Sequence, residues 1–468
     1  MPADTLLSLR RDLLFELAGS EAILETREQR WTVWNLSAGF AAALSALASD
    51  GAPRDRLLAM AGETEGEAGR AKMTTFLTEA SERAMLRQTV LCGGAPLATW
   101  VPMPATLRSS PVEPASGARY VLSRFALCRR TGPDLFLESP RSSVRILLHG
   151  WRGAALLDSL ARPFEAGRLG TGIPGVEPEA AEVLSGLLLG AGMICEVGPD
   201  GTTEEEREPD LAHWEFHDLL FHARSRRGRH GDIYGTSLRF LGRFDSLPAL
   251  KPGGPGELVE LAKPEPETLS PLVEGRKSIR SYAEEPLCLR ELGEFLYRAA
   301  RVRRLFEDSK PQQRTDRPHP SGGACYPLEI YPVVRACRDL DPGLYRYRPF
   351  EHRLERMSAR TPDLDRLIKG AWYATGRTCE PQILFVVTAR MRRVSWKYQS
   401  VAYALVLKDV GVLMQNMYLA AAAIDLAPCA IGGGDSDLFA RASGLDYYAE
   451  PSVGEFILGS QAPLSSPQ

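Results

Sequence analysis

Paired cysteines are missing from this chain. Cys92, Cys128, Cys195, Cys288, Cys325, Cys337, Cys379 and Cys429 are scattered without one C-x-x-C spacing. That argues against a disulfide framework or a zinc site and for a reducing compartment, with the cytoplasm as the expected location. Long apolar runs are missing too, so no stretch is long enough to span a bilayer. The opening MPADTLLSLRRDLLFELAG lacks a signal peptide's order of basic region, apolar core and small-residue cleavage site. Charge of one sign is scarcely in excess: 56 Lys and Arg face 59 Asp and Glu, a net of −3. Nothing in that total favours nucleic acid or an acidic membrane surface. What is present is the composition of a globular protein, 44% hydrophobic and 25% charged. The length of 468 residues predicts more than one domain.

The clearest boundary is 247–270, LPALKPGGPGELVELAKPEPETLS, whose prolines, glycines and charges read as a semi-extended linker. In the front half, Leu24–Ala48 and Leu137–Ala161 align without a gap at an offset of 113 residues. Each predicts strand, turn, strand and helix, and each is followed by a second helix (67–87 and 178–191) and a strand-like exit. That layout is winged-helix-like, with one module over 1–105, a second over 106–205, and a helix plus linker over 206–270. The candidate recognition helices carry too little basic surplus for phosphate binding. A groove between a strand edge and a helix, to which an extended peptide adds as a further strand, is the alternative use. A purely structural spacer also fits. His213 and His217 share the i, i+4 spacing of a metal pair, but nothing nearby completes a site, so packing is expected and no metal is assigned.

The back half carries the chemistry. Arg276, Lys277 and Arg280 surround Ser278 just before a helix expected near Leu289, a cluster of donors suited to phosphate. An exposed basic turn would look the same. Pro320, Ser321, Gly322 and Gly323 form a loop in which backbone can approach a planar ligand closely. Strands are expected at LEIYPVV, on both sides of a turn in 343–357, at PQILFVVTARM and at VGEFILG. A single helix is expected over 399–425, apolar almost all round. It ends in a glycine run, Gly432–Gly434. Just before that helix, VSWKYQS places an amine, Lys397, beside a phenol, Tyr398. Two side chains snorkelling at a helix end would account for the pair.

RKSIRSY, PSGGACYP, GLYRY, QNMYLAAAAIDLAP and EFILG occur in the order found in nitroreductase-like flavoproteins. Residues 271–460 resemble that family, and more narrowly its SagB/ThcOx-type branch, the azoline dehydrogenases of thiazole- and oxazole-peptide biosynthesis. The front half resembles, in architecture, the peptide-clamp modules of cyanobactin-type oxidases. The implied fold class is α+β: a nitroreductase-like FMN domain (271–468) with a mixed, mainly antiparallel sheet and flanking helices, preceded by two winged-helix-like peptide-clamp modules. The resemblance implies FMN, with Arg276, Lys277, Ser278 and Arg280 at its phosphate and ribityl chain. It also implies Pro320, Ser321 and Gly323 in the flavin site, from the partner subunit in many relatives, and Ile431, Gly432 and Gly433 at the flavin edge. Lys397 and Tyr398 match the branch's catalytic pair. Many relatives end in a basic phosphate clasp that is missing here after Arg441; either Arg390, Arg392 or Arg393 takes that role, or phosphate binding relies on the 276–280 segment.

The implied reaction oxidises a thiazoline or oxazoline to the azole. A base takes the acidic α-proton, and a hydride leaves the neighbouring carbon for the flavin, while the protein supplies position and the base. Free tyrosine, with a pKa of about 10, is a poor base at neutral pH, and a nearby ammonium favours the phenolate. Tyr398 is therefore expected as base and Lys397 as its activator, with the exchanged roles left open. Adjacent helical residues point about 100° apart, so both can face one ligand only outside a regular helix. A precursor peptide held by the front modules, a cyclodehydratase partner and a homodimer are the expected partners. Two other readings share the motifs: a general NAD(P)H-dependent flavin reductase, and a non-catalytic peptide-binding scaffold.

Overall fold

The computed structural model describes residues 5–26, 30–103, 109–226, 229, 242–243, 270–306, 312–398 and 401–462. The linker expected at 247–270 lies outside the described residues except for its last position. The chain divides into two compact units, 1–231 and 232–468.

The first unit begins with β1 (Thr5–Leu9), β2 (Leu14–Ala18), β3 (Glu21–Glu25), β4 (Arg30–Val33), α1 (Ala38–Ala48), α2 (Arg54–Glu82), β5 (Leu86–Cys92) and β6 (Ala95–Pro102). It continues with β7 (Arg119–Leu122), β8 (Leu127–Thr131), β9 (Asp134–Glu138), β10 (Val144–Leu148), α3 (Gly150–Leu160), β11 (Phe164–Glu165), α4 (Pro178–Gly190) and β12 (Ile194–Glu196). The order of elements repeats, and β3 and β9 coincide at the offset of 113 residues. Ser37 caps α1 by accepting the Phe40 N–H, while α2 kinks at Gly66, whose φ of 58° is left-handed.

Both copies contribute to one six-stranded sheet, in the order β1-β5-β6-β10-β9-β8. There β6 lies antiparallel along β10, from Pro102 opposite Val144 to Ala98 opposite Leu148. The first copy's equivalent strand, β4, pairs only with β3 among the described residues. The one helix expected within 206–270 is broken into pieces: α5 (Glu204–Arg207) and α6 (Pro209–Ala212) precede a separate α7 (Phe216–Ser225). The break falls at His213–Glu215, where the His213 ring bonds the Pro209 carbonyl and Glu215 turns extended. Buried Glu138 and Glu205 fasten these helices: Glu138 pairs with Arg129 and Arg224, and Glu205 with Arg141 and Ser123.

The second unit contains α8 (Ser270–Gly275), α9 (Leu289–Ala300), β13 (Arg304–Phe306), β14 (Arg314–Asp316), β15 (Leu328–Val334), β16 (Gly343–Arg348) and β17 (Arg353–Ala359). After these come α10 (Pro362–Ala374), β18 (Ile383–Ala389), α11 (Arg392–Ser395), α12 (Ala402–Ala422), β19 (Leu426–Ile431), α13 (Ser436–Ser443) and β20 (Ser452–Ser460). Its sheet runs β17-β16-β15-β18-β20-β19, and every pairing is antiparallel. The central strands β15 and β18 are buried along their whole length.

One sheet face packs Tyr331, Val333, Val386 and Ile457 with Leu364, Ile368, Leu438 and Phe439 of α10 and α13. On the other face Phe385 and Phe456 meet Phe295 of α9, and Phe456 meets Tyr418 of α12. A side chain at Gly454 would come within 2.8 Å of Val410 and Met414, so this glycine lets α12 lie close to the sheet. Removing a wholly buried ring such as Phe456 costs about 3–5 kcal/mol.

Two expectations shift here. The long helix starts at Ala402, later than 399, and LAPCAI before the glycine run is β19, an edge strand hydrogen-bonded to β20.

Candidate active site

The candidate residues fall into two groups, both anchored on α12. The first gathers around Tyr418. Its hydroxyl accepts the Ala430 N–H at 2.8 Å and lies 2.7 Å from Ser278 Oγ. The Arg276 guanidinium sits over its ring, 5.2 Å from the centroid. Ile279 N–H donates to the Pro428 carbonyl, binding the 276–280 segment to β19. Ser278 and the strand end that leads to Ile431–Gly433 are thus held by one phenol.

The second group lies around Asp409, nine residues earlier on the helix, which is about 13 Å at 1.5 Å per residue. Asp409 accepts from Ser321 Oγ at 2.5 Å and from Gly322 N–H at 2.9 Å. Gly323 has a left-handed φ of 60°, and a Cβ there would overlap the Tyr398 hydroxyl and come within 2.9 Å of Lys397 Nζ. Lys397 Nζ donates to the Gly323 carbonyl at 2.9 Å and lies 5.3 Å from the centroid of the Tyr398 ring. Lys397 and Tyr398 stand between α11 and α12, outside both helices. Both their N–H groups bond the Val394 carbonyl, the shared bond of a helix ending rather than a regular ladder. Lys397 is exposed and Tyr398 half-buried.

Several local environments shape this group. Burial pushes the His319 imidazole below its ordinary value, and burial raises the Cys325 thiol although Lys397 and Arg393 act the other way. Burial likewise raises Glu329, against the pull of Arg317 and Arg390.

The basic residues offered as a substitute phosphate clasp lie with this second group, and those with identified contacts are otherwise engaged. Arg393 donates to the Cys325 and Gln313 carbonyls, and Arg390 lies 3.5 Å from the Glu329 carboxylate. Arg393 braces the loop before β15, and Arg390 the start of that strand.

The first group fits a phosphate-bearing cofactor. Arg276, Lys277 and Arg280 have no carboxylate partner among the described residues, and Ser278 stands among them. A Cβ at Gly432 would meet nothing within 4 Å among the described residues, and its φ is not left-handed. Neither crowding nor backbone strain within the chain therefore requires glycine there, which leaves open backbone beside the cationic segment. The Ile431 side chain is buried in the core with Leu438 and Phe439, which leaves only its main chain to meet a ligand. Asp435, after the glycines, caps α13 by accepting the Leu438 N–H.

Asp409 and Tyr418 were not singled out from the sequence. The available signal was a carboxylate between Val406 and Val410 and a phenol beside Met417 in a helix otherwise read as apolar.

Comparison with known proteins follows the same division. Residues 273–459 match the family model described as the nitroreductase family, and residues 120–231 match that of the cyanobactin oxidase ThcOx. A protein of Methanocaldococcus jannaschii described as a nitroreductase is 30% identical over 179 residues, 38% of this chain and 85% of that protein. The microcin B17-processing protein McbC of Escherichia coli is 28% identical over 136 residues, 28% of this chain and 49% of McbC. Among solved structures, a chain of the E. coli microcin synthetase McbBCD complex with truncated pro-MccB17 bound aligns at 19% identity and a TM-score of 0.40. That alignment covers 55% of this chain and 98% of the other.

Proposed function

Since the chain belongs to the nitroreductase family of flavin oxidoreductases through residues 273–459, we propose that it binds FMN and oxidises azoline rings of a peptide to azoles. The observation that carries this reading is Gly323, whose carbonyl holds Lys397 and whose missing side chain makes room for Tyr398. A loop implied to line the flavin and a pair implied to do acid–base work thus meet at one residue. A general flavin reductase gives no reason for that meeting. The ThcOx match over 120–231 and the similarity to McbC support the peptide-ring substrate.

In this reading Arg276, Lys277, Arg280 and Ser278 hold the phosphate, and the backbone of Ile431–Gly433 borders the ring system. Bound FMN supplies the hydride acceptor. The Tyr398 oxygen takes the proton from the ring's α-carbon. The hydride departs from the adjacent carbon, and the two electrons of the broken α C–H bond form the new double bond. Two hydrogens leave, one as proton and one as hydride. Lys397, held on the Gly323 carbonyl, presents its charge beside the phenol. Placing a base this way contributes about 10²–10⁴-fold.

The front unit is the peptide holder in this proposal. In the second copy the free edge of β10 is taken by β6, whereas β4 of the first copy offers the corresponding edge to an extended peptide. The substrate ring implies a cyclodehydratase acting beforehand. The exposed face of α12, with Ala404, Gly411 and Val412, supports a homodimer in which a second copy covers it. The decisive experiment incubates the yellow, FMN-loaded chain with an azoline-containing peptide and no NAD(P)H. Mass spectrometry should show the peptide losing two hydrogens; an unchanged peptide would sink the reading.

A further inference from the structure

Resting on the azoline-oxidation reading, we propose that Asp409 is a positioning residue for Lys397 and Tyr398, acting through the loop at 320–326. Asp409 is 6% exposed and has no cationic partner among the described residues. A carboxylate buried on an apolar helix carries a desolvation penalty unless hydrogen bonds offset it. Its two oxygens are spent on the Ser321 hydroxyl at 2.5 Å and the Gly322 N–H at 2.9 Å. The Ser321 oxygen in turn accepts the Tyr326 N–H at 2.9 Å, which closes the loop on itself.

That loop does not keep its shape through backbone preference. Gly323, Ala324 and Tyr326 have φ of 60°, 56° and 46°, and for alanine and tyrosine the left-handed region persists only when surroundings enforce it. Asp409 enforces it from α12, and Arg393 does so from α11 through the Cys325 carbonyl. The shape is read out at Gly323, where the carbonyl sets the Lys397 ammonium and the bare Cα sets the Tyr398 hydroxyl. Asp409 therefore places the reacting groups without touching substrate.

The test compares Asp409→Ala, Asp409→Asn and Ser321→Ala in the full, FMN-loaded chain. With Asp409→Ala, kcat for azoline oxidation at saturating FMN should fall about 10²-fold while KM stays within about twofold and the FMN Kd rises far less than kcat falls, the pattern of lost orientation. Asp409→Asn keeps an acceptor for Gly322 N–H and should recover most of kcat, with Ser321→Ala between the two. A second readout needs no substrate. Cys325 is wholly buried, so a thiol reagent should label it slowly in wild type and about tenfold faster in Asp409→Ala as the loop opens locally. Unchanged kcat with unchanged labelling overturns the proposal, as does a loss of FMN affinity that matches the loss of kcat. A wild type that oxidises no azoline, but whose Cys325 labelling still follows Asp409, overturns the assigned reaction and supports the hold on the loop.

Discussion

The Lys397 ammonium donates to the Gly323 carbonyl at 2.9 Å, across 74 residues of sequence. This one bond ties the segment between α11 and α12 to the glycine loop before β15. It holds the amine 5.3 Å from the centroid of the Tyr398 ring.

Gly323→Ala tests that junction directly. Alanine at a left-handed φ costs about 1–2 kcal/mol, and its methyl would displace the Tyr398 hydroxyl. The chain should fold with a slightly lower Tm and retain FMN, while azoline turnover falls about 10²-fold. Turnover kinetics beside thermal melts of the loaded protein separate the two effects.

Tyr398→Phe removes only the proposed base oxygen. Turnover should drop about 10²–10⁴-fold, with FMN affinity changing far less, because the phosphate cluster around Arg276 is left intact. Full turnover in this variant would pass the role of base to Lys397 or to another group.

Tyr418→Phe should behave in the opposite way. The ring under Arg276 remains, but the hydroxyl shared by Ser278 and Ala430 N–H is lost. Leaving the Ala430 donor unpaired costs about 1–3 kcal/mol. FMN binding, followed by fluorescence titration, should weaken about tenfold, and turnover at saturating FMN should change little.

His319 predicts a pH effect on stability. The unfolded imidazole takes up a proton near pH 6.5, whereas burial holds the folded group's value below that. Between those values the unfolded chain binds more protons, so stability rises with pH there and is lost as acidification proceeds below about pH 6.5. Relative to His319→Gln, the wild type's Tm should therefore decline between about pH 7 and about pH 5. Parallel melting profiles of equal slope would refute this.

Peptide addition at β4 makes a prediction for hydrogen exchange. Binding of a precursor peptide should slow exchange at Arg30–Val33 and leave Val144–Leu148 unaffected, because β6 already occupies the edge of β10. Protection confined to other elements would move the peptide elsewhere.

Much of this was legible in the sequence because it is local. Composition excluded a membrane-spanning helix, and among the described residues no helix is long and apolar enough to cross a bilayer. The repeat spacing, the apolar strands β15, β18 and β20, and the order of the glycine and arginine motifs depend on residues near one another in the chain. So did the position of Lys397 and Tyr398 outside a regular helix, since adjacent side chains on a helix cannot converge. Tertiary structure alone decided which distant groups meet. It gathered Ser278, Arg276 and Ala430 on Tyr418, and Ser321 and Gly322 on Asp409, because a long helix packed against a sheet is touched by many segments. It also set Arg390 beside Glu329 and Arg393 on the Cys325 carbonyl, since a charge goes to whichever partner folding brings near. No pattern of neighbouring residues encodes that choice.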